Sequence, residues 1–513
     1  MNHNSVDNAL YNILANLIRI VVVTIVTFTI TRILVVELGE ELYGVVPLFN
    51  SINRYAGLSV IVISASVGRF VSLSFFKEDM QNANKYYSSS FFSLFFISAL
   101  VFVLSLALSF FLDDIFQFPN EKLKEVQVYF VLTIGSMLML SMTAIFNVSV
   151  FIKHTFYMSD IITVISKIIQ IIFLFLGHIT LIWFGFSLLT SAITLVVLTY
   201  LVSVKILPIL KIKLKNISIP HAKDMGKMGV NSLFNSLGIL LYTSSDIIII
   251  NILLGSAKSG NYGIALQCGM IITLLGGSIT KLLAPVLVEL IDKQQREKII
   301  TSIVRFTKVI TVFSAIPFVL FLGFSKPILV MWLGEGYESL YLITIFISFN
   351  QLLHQTTSLT FTYFNMENKL RIPAITTFVA GILNIALSIL TVKYTNLGMY
   401  GVVLATLITI FLKTIIFNVV YASRLLKTSP FAIWKSALTG LYWPIILGLL
   451  CFFVFKLIII DSILILSLAI IVSLIIYIIG VLYLPLNLGD RLLLRKISKI
   501  DKIFSFIGNQ NKI

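Results

Sequence analysis

Apolar runs long enough to cross a bilayer recur from one end of this chain to the other. A helix rising 1.5 Å per residue needs about 20 apolar residues to span the hydrocarbon core. Fourteen such runs can be marked between residues 11 and 484, and the polar stretches between them are too short to fold alone. Only 12% of the residues are charged, against about 25% in a soluble domain, so the chain cannot coat a water-facing surface around separate cores. Its solvent is lipid. A soluble enzyme, a disordered protein, a coiled coil and a disulfide scaffold are excluded, and long uninterrupted runs disfavour an outer-membrane barrel. The expected fold class is all-α, a polytopic membrane protein of about fourteen helices. The two cysteines, Cys268 and Cys451, fall inside apolar runs and read as small apolar packers.

The loops alternate in charge. Acids collect after odd-numbered spans, as at Glu37, Glu40, Glu41, Asp113, Asp114, Glu335 and Glu338. Bases collect after even-numbered spans, as at Lys205, Lys211, Lys213, Lys215, Lys293, Arg296 and Lys298. Positive charge marks the cytoplasmic side, so both termini are expected inside. The net charge of +16 reflects this asymmetry and contact with anionic lipid rather than nucleic-acid binding. The basic stretch from Asp490 to Ile507 reads as an amphipathic helix on the inner leaflet.

The chain also repeats itself at an offset near 216. LGEELYG (Leu38–Gly44) is echoed by LGSAKSGNYG (Leu254–Gly263), FQFPNE by MWLGEG, and FGFSLLTSAIT by MYGVVLATLIT. Two six-helix lobes of the same orientation follow, at 1–215 and 216–428, with an extra helix pair at 429–486 and a basic tail at 487–513. Parallel repeats of this kind place a transported substrate between the halves.

Motifs for covalent chemistry are missing. There is no G-x-x-x-x-G-K-[ST] loop, no H-E-x-x-H and no G-x-S-x-G, and the five histidines are scattered. The acid pairs Glu40–Glu41 and Asp113–Asp114 read as solvated loop faces. Neither an enzyme nor a resident metal is expected.

The charges within spans are the informative ones, because a charge at mid-bilayer costs about 2.5–3.5 kcal/mol and needs a partner, water or an escape to the interface. Arg32 and Arg69 lie near span ends and can snorkel. Arg19, Arg54, Lys167, Lys281 and Lys413 come from both halves and share a depth of about 12–14 Å. Among the acids, only Asp246 lies well away from a span end. Arg19 shares a helical face with Asn12 and Asn16, and Arg54 lies within a turn of Asn50 and Asn53. A hydrated cationic cavity holding an anionic ligand such as a pyrophosphate accounts for them; for Lys167 and Lys413 reach to the interface is the competing reading. Asn231, Asn235, Tyr242 and Asp246 form a stripe on span seven. Asp246 is either an ion or proton site or the partner of Arg32. Asn350, Gln351 and His354 on span ten either bind sugar hydroxyls or join helices.

On these features, together with the Y-G after spans one and seven and TSSDIIIINILLG (Thr243–Gly255), the chain resembles the polysaccharide-transporter branch of the multidrug/oligosaccharidyl-lipid/polysaccharide (MOP) exporter superfamily. It looks like the Wzx-type flippases of bacterial O-antigen and capsule pathways. The resemblance implies a MATE-like fold in the bacterial inner membrane. The implied cargo is an undecaprenyl-pyrophosphate-linked oligosaccharide, moved from inner to outer leaflet with sodium or proton coupling or none. It also implies a lipid-tail groove formed with spans thirteen and fourteen, and other glycan-assembly membrane proteins as partners. Related lipid II flippases use arginines of the first two spans for the pyrophosphate, and Arg19 and Arg54 look similar. Their fuller arginine pattern is missing here, so lipid II is the alternative cargo. A drug/cation exporter of the same superfamily, a membrane glycan polymerase or ligase, and a scaffold for glycan assembly are the remaining alternatives.

Overall fold

The computed structural model describes residues 4–367, 369–456 and 462–485. The basic tail expected at 487–513 lies outside the described residues. The helices in chain order are α1 (Asn4–Tyr43), α2 (Val45–Ala56), α3 (Leu58–Phe76), α4 (Met80–Ser109), the single turn α5 (Leu112–Ile115), α6 (Leu123–Ser141), α7 (Thr143–Ile152), α8 (Phe156–Phe175), α9 (Leu181–Ile206) and α10 (Ile219–Thr243). They continue with α11 (Ser245–Leu254), α12 (Ser256–Asp292), α13 (Arg296–Leu333), α14 (Tyr341–Thr356), α15 (Ser358–Met366), α16 (Arg371–Tyr394), α17 (Met399–Ile410), α18 (Val419–Leu426), α19 (Pro430–Lys456) and α20 (Ile463–Tyr483). A π-helical stretch, Phe411–Asn418, joins α17 to α18. The described residues form no strand, and the protein is an all-α polytopic membrane protein.

Twelve helices among the described residues are long and apolar enough to cross a membrane, or thirteen if Leu233–Thr243 and Ser245–Leu254 are one span bent by 40°. The tenth expected span, 338–364, is divided at Thr357 into α14 and α15, of 16 and 9 residues, each too short to span alone. The run expected at 43–74 is likewise α2 and α3, separated at Gly57. A polar residue or a glycine at the break accounts for both. The narrow boundary between spans five and six is real. An added Cβ on Gly177 would lie 2.4 Å from the Trp183 ring, so only glycine lets that indole fold back, where its Nε1–H donates to the Phe173 carbonyl.

By packing, the chain divides into two compact units, Met1–Gly260 and Asn261–Ile513. The partition at 215/216 rests on sequence symmetry, whereas α10 packs against α3 and α4 and α11 against α2, all in the first unit. Both copies of the repeat make the same turn: Gly39 has φ +74° and Gly255 φ +93°, a region that disfavours any side chain. Within the first unit the two copies touch. Ser256 Oγ donates to the Glu41 carbonyl and Ser259 Oγ to that of Gly44. A Cβ on Gly44 would lie 1.9 Å from the Ser256 carbonyl oxygen.

The segment after α9 is strapped along α4 in the same unit. Asn84 donates to the Ile209 carbonyl and accepts from the Lys211 amide. Ser88 donates to the Lys211 carbonyl and accepts from the Lys213 amide, and Ser89 does the same for Ser218. His221 closes the strap. Asp79 Oδ2 accepts from Asn82 Nδ2 at 2.7 Å, which turns Asn82 Oδ1 toward His221 Nε2 at 3.1 Å. That oxygen only accepts, so the ring carries its proton on Nε2 and takes the Ser218 hydroxyl on Nδ1 at 2.6 Å.

In the second unit, α19 lies along α13 where glycines admit it, Gly440 facing Thr311 and Gly448 facing Leu322. α20 joins them through Tyr477, whose hydroxyl donates to the Val312 carbonyl. Cys268 and Cys451 are buried and free, as apolar packers.

Candidate functional site

The first unit holds three of the five cations, in unlike settings. Arg19 on α1 faces α8, where its Nε lies 2.7 Å from Asp160 Oδ1. Arg19 therefore already has an acid beside it, which corrects the expectation that its anion comes only with a ligand. Asp160 was missed because it lies three residues inside an apolar run, where a carboxylate reads as interfacial. The Asn12–Asn16–Arg19 face packs on α8: the Asn12 amide donates to the His154 carbonyl and accepts from the Tyr157 amide. Lys167 is half-buried and donates to Gln170 Oε1 at 2.7 Å on its own helix.

Arg54 is exposed near the end of α2, with Asn50 exposed one turn before it. Asn53 between them is buried, and its Oδ1 has no hydrogen-bond partner. The neighbouring Tyr55 reaches α10, where its hydroxyl donates to the Leu240 carbonyl at 3.0 Å. That contact seats α2 against the break at Ser244. The expected stripe on span seven does not run down one continuous face, because the 40° bend separates Asn231, Asn235 and Tyr242 on α10 from Asp246 on α11. Ser245 Oγ donates to the Leu241 carbonyl across the break. Tyr242 and Asp246 are buried. Asn235 is half-buried with an unpartnered Oδ1, and the side chain of Asn231 lies outside the described residues. α2 and the foot of the broken helix thus offer a guanidinium and amide oxygens left without partners, a set suited to an anion with hydroxyl groups attached.

The second unit holds the other two. Lys281 is exposed on α12, whereas Lys413 is buried within the π-helical stretch. Such stretches are rare and recur at functional sites. Of the span-ten polar residues, Asn350 donates to the Val403 carbonyl of α17, and Gln351 accepts from Thr273 of α12. Both join helices, while Asn350 Oδ1 is left buried and unpartnered. One helical depth therefore does not translate into one environment for the five cations. The acid pairs Glu40–Glu41 and Asp113–Asp114 are exposed.

An open cleft of about 610 Å³ lies between α4, α6, α7 and α9, lined by Phe95, Phe102, Leu132, Met139 and Val197 among others. Its walls are almost wholly apolar and include none of the candidate site residues. It suits a hydrocarbon chain.

Comparison with known proteins follows the same lines. A family model described as "Polysaccharide biosynthesis protein" matches residues 58–342, just over half of the chain. The chain is 26% identical over 421 residues to "Uncharacterized membrane protein EpsK" of Bacillus subtilis (strain 168), a match covering 81% of this chain and 83% of that protein. Its fold matches an inward-facing multidrug resistance MATE family transporter of the MOP superfamily with a TM-score of 0.67 at 14% identity, over 79% of this chain and 96% of that one. It matches the lipid II flippase MurJ, in an inward closed conformation, with a TM-score of 0.67 at 17% identity, over 93% and 99% of the two chains. At these identities the structural likeness shows the fold alone.

Proposed function

We propose that this chain, which belongs to the polysaccharide biosynthesis protein family as a polysaccharide-transporter-type exporter of the MOP superfamily, is a flippase for an undecaprenyl-pyrophosphate-linked oligosaccharide such as an O-antigen or capsule repeat unit. It carries the headgroup from the inner to the outer leaflet of the bacterial inner membrane, with both termini cytoplasmic. The observation that carries the reading is Arg54, exposed within the apolar sequence of span two beside the unpartnered amide oxygen of Asn53. A cation there invites a ligand bearing negative charge, and a guanidinium matches phosphate oxygens two at a time. The fold shared with a lipid II flippase supports it.

In this mechanism Arg19 and Arg54 attract the pyrophosphate, with Lys167 of the same unit contributing field. Asn235, with its unpartnered amide oxygen, meets the glycan hydroxyls. The prenyl chain stays in lipid and never crosses a polar region, so only the headgroup has to be sheltered. Alternating access then exposes the headgroup to one side at a time. Asp246, buried just past the helix break, is the coupling site if sodium or protons drive the cycle. A cation exporter is disfavoured, because inward positive charge repels its cargo.

The test is the double variant Arg19→Ala with Arg54→Ala in cells lacking the native gene. Surface glycan should fall to the level of the deletion strain, lipid-linked glycan should accumulate, and the protein should remain in the membrane. Normal surface glycan would remove these two residues from the mechanism.

A further inference from the structure

We infer that Asp160 is a built-in stand-in for the substrate's headgroup: its carboxylate holds Arg19 while the site is empty and yields it to the incoming pyrophosphate. The inference rests on the flippase reading above and names a regulation of that same site.

Four observations carry it. First, Arg19 lies well inside α1 and its apolar sequence, whereas both partners of the Lys122–Glu125 and Lys293–Glu289 pairs sit at helix ends. A guanidinium in that position needs an anion at all times, so an empty site requires a resident one. Second, the contact is close but poorly directed. Nε is 2.7 Å from Oδ1, yet it makes no aligned hydrogen bond. A two-pronged Arg–carboxylate fork would be harder to displace, and a pyrophosphate offers both more charge and the geometry for such a fork. Third, neither partner is sealed, the side chains being 26% and 14% exposed. A ligand can approach without unpacking α1 from α8.

Fourth, the two helices do not depend on this pair to stay together. Asn12 ties α1 to the start of α8 and the turn before it through two hydrogen bonds, and the Tyr11 and Tyr157 rings meet at 6.1 Å. Arg19 can change partners while the helices keep theirs. Lys167 lies seven residues beyond Asp160, on the same face of α8, and its bonded partner is the neutral Gln170. An anion that displaces Asp160 from Arg19 therefore finds a second cation on that face. The resting ion pair also rejects neutral lipids, which have nothing to exchange for the carboxylate.

The test is binding of farnesyl pyrophosphate, a short prenyl pyrophosphate, to the purified full chain in detergent. Wild type is compared with Asp160→Asn, Asp160→Glu, Arg19→Ala and the double variant Arg19→Ala/Asp160→Asn. A stand-in competes with the ligand, so Asp160→Asn should bind at least about threefold tighter. Asp160→Glu should restore the wild-type affinity, and the double variant should lose the gain. A folded Asp160→Asn that binds no tighter than wild type overturns the inference and leaves the flippase reading intact. An Asp160→Asn that fails to fold overturns it too, because a carboxylate required for folding is not a dispensable partner. If neither wild type nor Asp160→Asn binds the probe, the flippase reading falls and takes the inference with it.

Discussion

Single residues set the tightest constraints in this chain, and glycines are the clearest. Gly44 leaves no room for a Cβ, since the Ser256 carbonyl oxygen would be 1.9 Å away and belongs to backbone that cannot rotate aside. Gly44→Ala should cost about 1–3 kcal/mol through overpacking, read as a lowered melting temperature of the detergent-solubilised protein; an unchanged melt would mean that the two repeat copies do not pack this closely. The YG motif that ends the first copy was visible in the sequence, but the crossing it permits was not. Periodicity reports the face a residue occupies and is silent on which helix covers that face. The same limit explains Arg19. Its company with Asn12 and Asn16 was legible at helical spacing, whereas its carboxylate comes from another helix more than a hundred residues away. Asn350 and Gln351 carried a signal that fitted either a sugar or a neighbouring helix, and the geometry shows bonds to neighbouring helices.

At the scale of elements, hydropathy located the spans and could not see the breaks inside them. Gly57, Ser244 and Thr357 divide runs that read as continuous, because none is polar enough to interrupt an apolar window. Each break frees backbone groups within a helix, and at Ser244 the hydroxyls of Tyr55 and Ser245 meet carbonyls near it. The strap along α4 was equally invisible, since its contacts join serines and asparagines to main chain with no apolar period. It is also the element with a pH dependence. Burial pushes the His221 imidazole below its ordinary value, and Lys85 pushes the same way against Asp224 and Asp79. The released ring therefore takes up a proton more readily than the strapped one. The stability that the neutral ring lends is present above about pH 6.5 and is lost as pH falls through the lower value of the strapped state. Hydrogen exchange over residues 207–222, corrected for intrinsic rates, should show protection falling between pH 7.5 and 5.5. His221→Gln should flatten that dependence, and an equal fall in both proteins would exclude the imidazole as its source.

For the whole molecule, the composition and the span count already implied an all-α polytopic membrane protein, and the fold agrees with that class. The cargo rests on cations that the bilayer tolerates only with anionic or aqueous company. The charge on Arg54 and the releasable charge on Arg19 are the core of the account. The most direct measurement uses proteoliposomes holding the purified protein and a fluorescent polyprenyl-pyrophosphate-linked glycan, with a membrane-impermeant quencher reporting the leaflet. Wild-type vesicles should equilibrate the label between leaflets well above the rate of protein-free vesicles, and vesicles with Arg19→Ala and Arg54→Ala should match the protein-free rate. Equal rates for wild-type and protein-free vesicles, or for wild type and the double variant, would contradict the account.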